Sequence, residues 1–132
     1  MIRIATLVAA TIVAFPVATQ AQSPGWVLWD KTTESEARAG SPATNTGEWY
    51  EPLNGYESAA ECRDDIRRRI ADLEVTLPAF LKAMKINAEV IVSIDRTSIS
   101  MLYPTDAAGV AKGRQRSFVC FPGTLDPRPR SN

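Results

Sequence analysis

Two cysteines, Cys62 and Cys120, and a scatter of carboxylates are the residues whose types invite chemistry in this chain, and histidine is absent. The missing imidazole removes Ser-His-Asp and Cys-His catalysis, imidazole zinc sites and histidine pH switching together. The cysteines lie far apart and lack C-x-x-C spacing, so they read as a structural bridge and not as a redox pair. A nucleophile would then have to be serine, threonine, lysine or a carboxylate. Asp30, Glu48, Glu51 and Asp95 would make a small carboxylate-dependent hydrolase only if two or more converged in one concave pocket. Asp64-Asp65 offers no such pair, because adjacent helical residues point about 100° apart and arginines lie one turn away. Arg67-Arg68-Arg69 splays over about 200° and reads as an ordinary surface, as does the Arg128–Arg130 tail. No metal and no cofactor is expected.

The aromatic residues are more informative. Trp26, Trp29, Trp49 and Tyr50 concentrate ring surface near the N-terminal strands. Strand geometry sends Trp26 and Trp29 to opposite faces, and only one face has to meet a helix. Exposed aromatics mark recognition surfaces for a protein, peptide or glycan, whereas buried ones fill the core of a small domain. The expectation is a non-enzymatic binding module that uses this aromatic-rich surface or the segment 34–47. The competing readings are the carboxylate hydrolase and a structural envelope stress protein with no specific ligand.

Several elements must position these residues. Trp26-Val27-Leu28-Trp29 reads as a strand buried on both faces at its start. Residues 34–47 are small and polar and read as a loop, followed by a short strand at Glu48-Trp49-Tyr50-Glu51 that Pro52 and Asn54-Gly55 should end. Ser58-Ala59-Ala60-Glu61 is a capping box opening a helix. On that helix Ala59, Cys62, Ile66, Ile70, Leu73 and Leu77 fall within roughly 80° of one another. Asp64–Arg68 and Asp65–Arg69 are favourable i,i+4 pairs on the outer face, and Pro78 should stop the helix near Leu77. Val90-Ile91-Val92-Ser93-Ile94, Ile99–Tyr103 and Arg116–Phe121 read as three strands, with a loop from Pro104 to Gly113. The proline-rich tail from about 122 should be extended, with Asp126-Pro127-Arg128 locking it over the sheet edge. The assembled fold class is α+β: an antiparallel sheet of about four to five strands, one long helix packed on one face, and a single disulfide. The last three strands should form a meander with the tryptophan strand beside them.

The N-terminus sets the compartment. Met1-Ile2-Arg3, an apolar run from Ile4 to Val17, and Thr19 and Ala21 at the −3 and −1 positions compose a signal peptide over 1–21. The run falls short of the ~20 residues of a membrane span, so no integral membrane segment is expected after processing. Residues 22–132 then form one small exported domain, periplasmic or secreted. The chain carries 15 basic and 15 acidic side chains, and the leader holds only Arg3, so no basic excess for nucleic acid remains. In an exported chain an even pair of cysteines closes a bridge, worth about 4 kcal/mol across so long a loop.

Three blocks carry a family resemblance: Trp26-Val27-Leu28-Trp29; Tyr56-Glu57-Ser58 leading into Glu61-Cys62; and Val119-Cys120-Phe121-Pro122-Gly123-Thr124-Leu125-Asp126-Pro127-Arg128. Together they resemble a group of small secreted bacterial proteins of uncharacterised function. These share a WVLW-like start, a cysteine early in a helix and a closing C-L-P-D-T-x-D-P-R-like segment. Phe121 and Gly123 depart from that pattern, which has leucine and aspartate there. The resemblance implies a bacterial periplasmic or secreted location and pairing of the two cysteines, and it carries no activity to transfer.

Overall fold

In the computed structural model, which describes residues 25–130, Trp26–Trp29 begins a strand that runs far past the expected end. The expected signal peptide lies outside the described residues. Strand β1 (Trp26–Arg38) and strand β2 (Thr44–Tyr56) form a long hairpin, followed by helix α1 (Ala59–Ala83), β3 (Glu89–Val92), β4 (Ser98–Leu102) and β5 (Val110–Pro122). The sheet is antiparallel with order β2-β1-β5-β4-β3. The last three strands therefore form the expected meander, and the tryptophan strand lies against β5.

The segment 34–47 is not a loop: β1 continues to Arg38 and β2 starts at Thr44. Glu34, Ser35 and Glu36 pair with β2 on one side and β5 on the other, so their backbone groups are satisfied without any apolar alternation. Pro52 does not end β2 either. It sits opposite Trp29 next to a register shift on an edge strand, where a missing N–H costs no inner ladder bond. β5 likewise opens at Val110, inside the expected 104–113 loop.

Helix α1 begins as its sequence requires. The Ser58 hydroxyl accepts from the Glu61 amide at 3.2 Å and the Glu61 carboxylate accepts from the Ser58 amide at 3.3 Å. It does not stop at Leu77. Pro78 lies inside the helix, which ends only at a Schellman turn: Ile86 N–H donates to Leu81 O and Lys85 N–H to Lys82 O. Burial of Leu81 beyond the proline rewards the continuation. Asp65 takes Arg69 as expected but is mostly buried toward β2 and not on the outer face, while Asp64, which is exposed, pairs with Arg67 and not with Arg68.

Opposed residues in an antiparallel ladder share a face, which places Leu28, Cys120, Phe118 and Ile99 under the helix. They meet Cys62, Ile66 and Ile70 from α1. Each such fully buried aliphatic chain contributes about 1.5–3 kcal/mol. Cys62 and Cys120 are bridged with their Cα atoms 6.1 Å apart, stapling the first turn of α1 to β5. At the hairpin end Asp65 accepts from the Tyr56 hydroxyl at 2.5 Å and from Arg69 at 2.8 Å, tying α1 to β2.

Candidate functional site

The apolar cluster under the helix ends at Leu28 on β1 and Phe118 on β5. Beyond that layer the same face turns polar. β1 presents Asp30, Thr32, Glu34 and Glu36, and β5 presents Arg116, Arg114 and Lys112. Three cross-strand ion pairs follow in series: Asp30 with Arg116, Glu34 with Arg114, and Glu36 with Lys112 at 3.8 Å. They are graded by burial. Asp30 is 5% exposed and receives Arg116 Nε at 3.0 Å, while Arg114 and Lys112 stand largely in solvent. The Arg116 guanidinium also lies 5.4 Å from the Phe118 ring centroid, closing the apolar layer. Among the described residues, Asp30 Oδ1 is buried without a hydrogen-bond partner.

Trp49 stands on this polar face, opposite Thr32 in the ladder, and is 38% exposed. Its ring is held in place. Arg114 lies 5.9 Å from the ring centroid, and the same guanidinium donates to Glu34 Oε1 through Nε (3.1 Å) and Nη2 (2.5 Å). Gly47, two residues earlier on the same face, borders the ring: a Cβ there would meet the indole at 3.6 Å, an ordinary van der Waals contact. Beside it lies a cleft of about 400 Å³ lined by both outer ion pairs, Thr46 and Tyr103, with Ser35 and Gly113 between the pairs in the ladder. Thr46 is the extra residue at the Glu34/Ser35 register shift, and Tyr103 is tied in by its amide, which donates to Lys112 O at 2.9 Å. The cleft therefore offers carboxylates, cations and two hydroxyls next to a fixed indole.

The other aromatic candidates are not gathered here. Trp26 packs partly buried against the helix-side core. Trp29 faces the opposite side of the sheet, is 5% exposed, and lies under the C-terminal tail with Arg128 5.4 Å from its ring. Tyr50 shares that opposite side with Lys31, whose ammonium lies 5.5 Å from the ring and bonds Glu48 at 3.1 Å. The hydrogen bond it donates to Glu48 holds Lys31 above its ordinary pKa, against the lowering effect of burial. The tail thus crosses the sheet face at an inner strand and not at the edge as expected. It is fixed by Gly123 N–H to Gly25 O at 2.9 Å and by Arg128 over the Trp29 ring, the guanidinium being steadied within the tail by a forked pair with Asp126 that holds the Asp126 carboxyl down at about 2.

Of the four carboxylates considered for hydrolysis, Asp30 and Glu51 are neighbours across the β1–β2 ladder and the other two lie apart from them. Asp30 is paired with Arg116, Glu48 lies on the opposite face, and Asp95 sits in the β3–β4 turn, bonded by the Ser93 hydroxyl and the Thr97 amide. Glu51 opposes Asp30 in the ladder, but the charged cleft is lined by none of the four. Among the described residues no group of three or more Cys, Asp or Glu side chains is placed to hold a metal ion, and no helix is long and apolar enough to cross a membrane. Sequence reasoning named Trp49 and the segment 34–47, which holds Glu34, Glu36 and Thr46, but missed Tyr103, Lys112 and Arg114. The only signal of Lys112 and Arg114 was alternation of charge at the end of a segment otherwise read as loop. Compared with protein-family models, curated proteins and solved structures, the chain matches none.

Proposed function

We propose that this protein is an exported, non-enzymatic binding module whose recognition surface is the polar end of the helix-side sheet face, centred on Trp49. One observation carries the reading: a 38% exposed tryptophan is fixed by Arg114 beside a concave cleft, at the place where the apolar core gives out. An indole exposed for packing alone needs no such support, whereas a binding residue gains from being held in its working orientation. The neighbouring ion pairs fix the side chains that would meet a ligand. Export is supported by the signal-like leader, by the resemblance to secreted bacterial proteins and by the disulfide.

The test is a titration followed by two-dimensional NMR, in which the labelled protein receives extracellular and envelope fractions of the producing cell. Saturable shifts should concentrate at Trp49, Tyr103, Lys112 and Arg114 and vanish in a folded Trp49→Ala variant. Shifts confined to the tail or to the β3 edge would remove this face from consideration.

A further inference from the structure

The ion pairs on this face are compensated one by one. Asp30, Glu34 and Glu36 pair with Arg116, Arg114 and Lys112, so three charges of each sign cancel around Trp49, and Glu51, exposed opposite Asp30 on the same face, adds a single carboxylate to an otherwise balanced surface. A polyanion would need a basic excess and a polycation an acidic one, and either would have to break pairs already formed. A protein partner fits poorly as well, because interface cores are depleted in charged residues. The exposed apolar side chains Phe80, Met84, Ile91 and Ile94 belong to the end of α1 and to the β3 edge, not to this face. What the face does offer is an indole for apolar contact, two hydroxyls, and paired carboxylates and guanidinium groups with lone pairs and N–H groups to spare.

From this we infer that the ligand of the Trp49 face is an uncharged polyhydroxylated chain, a neutral oligosaccharide. A sugar ring has an apolar C–H face that stacks on an indole and a rim of hydroxyls that both donate and accept. Glu34 accepts and Arg114 donates within one rigid pair, so adjacent hydroxyls can bond to both without separating the charges. Thr46 and Tyr103 supply further hydroxyl partners along the cleft. The inference rests on the assignment of the binding face to Trp49 and adds the class of ligand.

The experiment titrates the purified protein with cellohexaose, chitohexaose and maltohexaose, and separately with heparin and polylysine, by calorimetry and tryptophan fluorescence. Each titration is run at about 0.1 M and about 1 M salt, between which the Debye length falls from ~10 Å to ~3 Å. Binding of at least one neutral hexasaccharide is expected, changed less than about twofold by salt. It should weaken about tenfold or more in Trp49→Ala, as for a central interface tryptophan, and survive in Trp49→Phe and in Ile94→Ser on the far side of the sheet. Near-ultraviolet circular dichroism establishes that each variant is folded. Salt-sensitive binding of heparin or polylysine, lost in Trp49→Ala, would overturn the saccharide while leaving the face standing. Hexasaccharide binding untouched by Trp49→Ala would overturn the face itself. Binding of no probe would overturn the saccharide, and the NMR titration then decides the face independently.

Discussion

Reducing the Cys62–Cys120 bridge frees a loop of 58 residues in the unfolded chain. The chain-entropy treatment assigns a loop of that length about 4 kcal/mol at 25 °C. Cys62 is fully buried among Leu28, Ile66 and Ile70, so on reduction the two sulfurs need only part to van der Waals separation within the same packing, and the other native contacts change little. The loss should therefore fall almost wholly on the unfolded side. Two arms separate the effects. Reduction alone should cost about 4 kcal/mol, and the double variant Cys62→Ala/Cys120→Ala about 1–2 kcal/mol more, for the sulfur volume removed from the core. Urea unfolding with and without reductant, followed by circular dichroism and tryptophan fluorescence, measures both. The melting temperature should fall by roughly 20 °C. The urea m-value should rise, because the uncrosslinked chain exposes more surface. A loss below about 1 kcal/mol with both thiols free by intact mass would refute the staple, since the loop would then be held by something other than the bridge.

Three further outcomes follow from local geometry. Tyr56→Phe removes the hydroxyl donor of a mostly buried Asp65 and should cost about 1–2 kcal/mol at pH 7. Burial acts to raise the Asp65 pKa, but hydrogen bonds from Tyr56, Arg69 and Arg68 outweigh it and hold the carboxyl below its ordinary value. Its contribution is therefore complete above about pH 4 and lost as pH falls through the depressed value, so the gap between Tyr56→Phe and the parent should narrow on acidification; a gap constant from pH 7 to pH 2 would contradict this. Arg128→Ala should return the Asp126 carboxyl from about 2 toward 3.8 in an NMR titration and red-shift the emission of Trp29 as its cover is lost. Lys85 holds φ 55° in the Schellman turn, so Lys85→Gly should stabilise the protein by about 1 kcal/mol, seen as a melting temperature raised by several degrees.

The parts of the fold legible in the sequence are those whose causes are local. The capping box at Ser58 and the apolar arc Cys62-Ile66-Ile70 are written within one helix, and both stand as expected. Trp26 and Leu28 alternate with Trp29 by strand geometry alone, and the core divides accordingly. The misread segments have distant causes. Residues 34–38 are a strand because β5, some 80 positions later, pairs with them and brings Arg114 to Glu34. Nothing apolar alternates there, so periodicity cannot find them. Pro78 carries a strong stop signal, but Leu81 is buried beyond it, and tertiary burial outweighs local preference. The true helix end was hidden for a related reason, because its left-handed position is filled by Lys85 in place of glycine.

The site was harder to read than the fold because compensation erases its signature. A basic stripe or an acidic cluster is visible as a charge run, but Lys112, Arg114 and Arg116 alternate with Ala111, Gly113 and Gln115, and their partners lie far away in sequence. The totals conceal them as well: 15 charges of each sign register as nothing. Only the ladder register shows that the acids of β1 and the bases of β5 share one face and meet pair by pair. Stability does not explain such a series, since exposed ion pairs contribute little and a buried pair such as Asp30–Arg116 seldom outperforms apolar residues of similar size. The orphaned Asp30 Oδ1 adds a cost that an apolar residue would avoid. What the pairs do achieve is rigidity. They fix Arg114, and through it the indole of Trp49, at a place where the helix-side core no longer can. A half-exposed ring held by charges that cancel is suited to a ligand that brings no charge of its own.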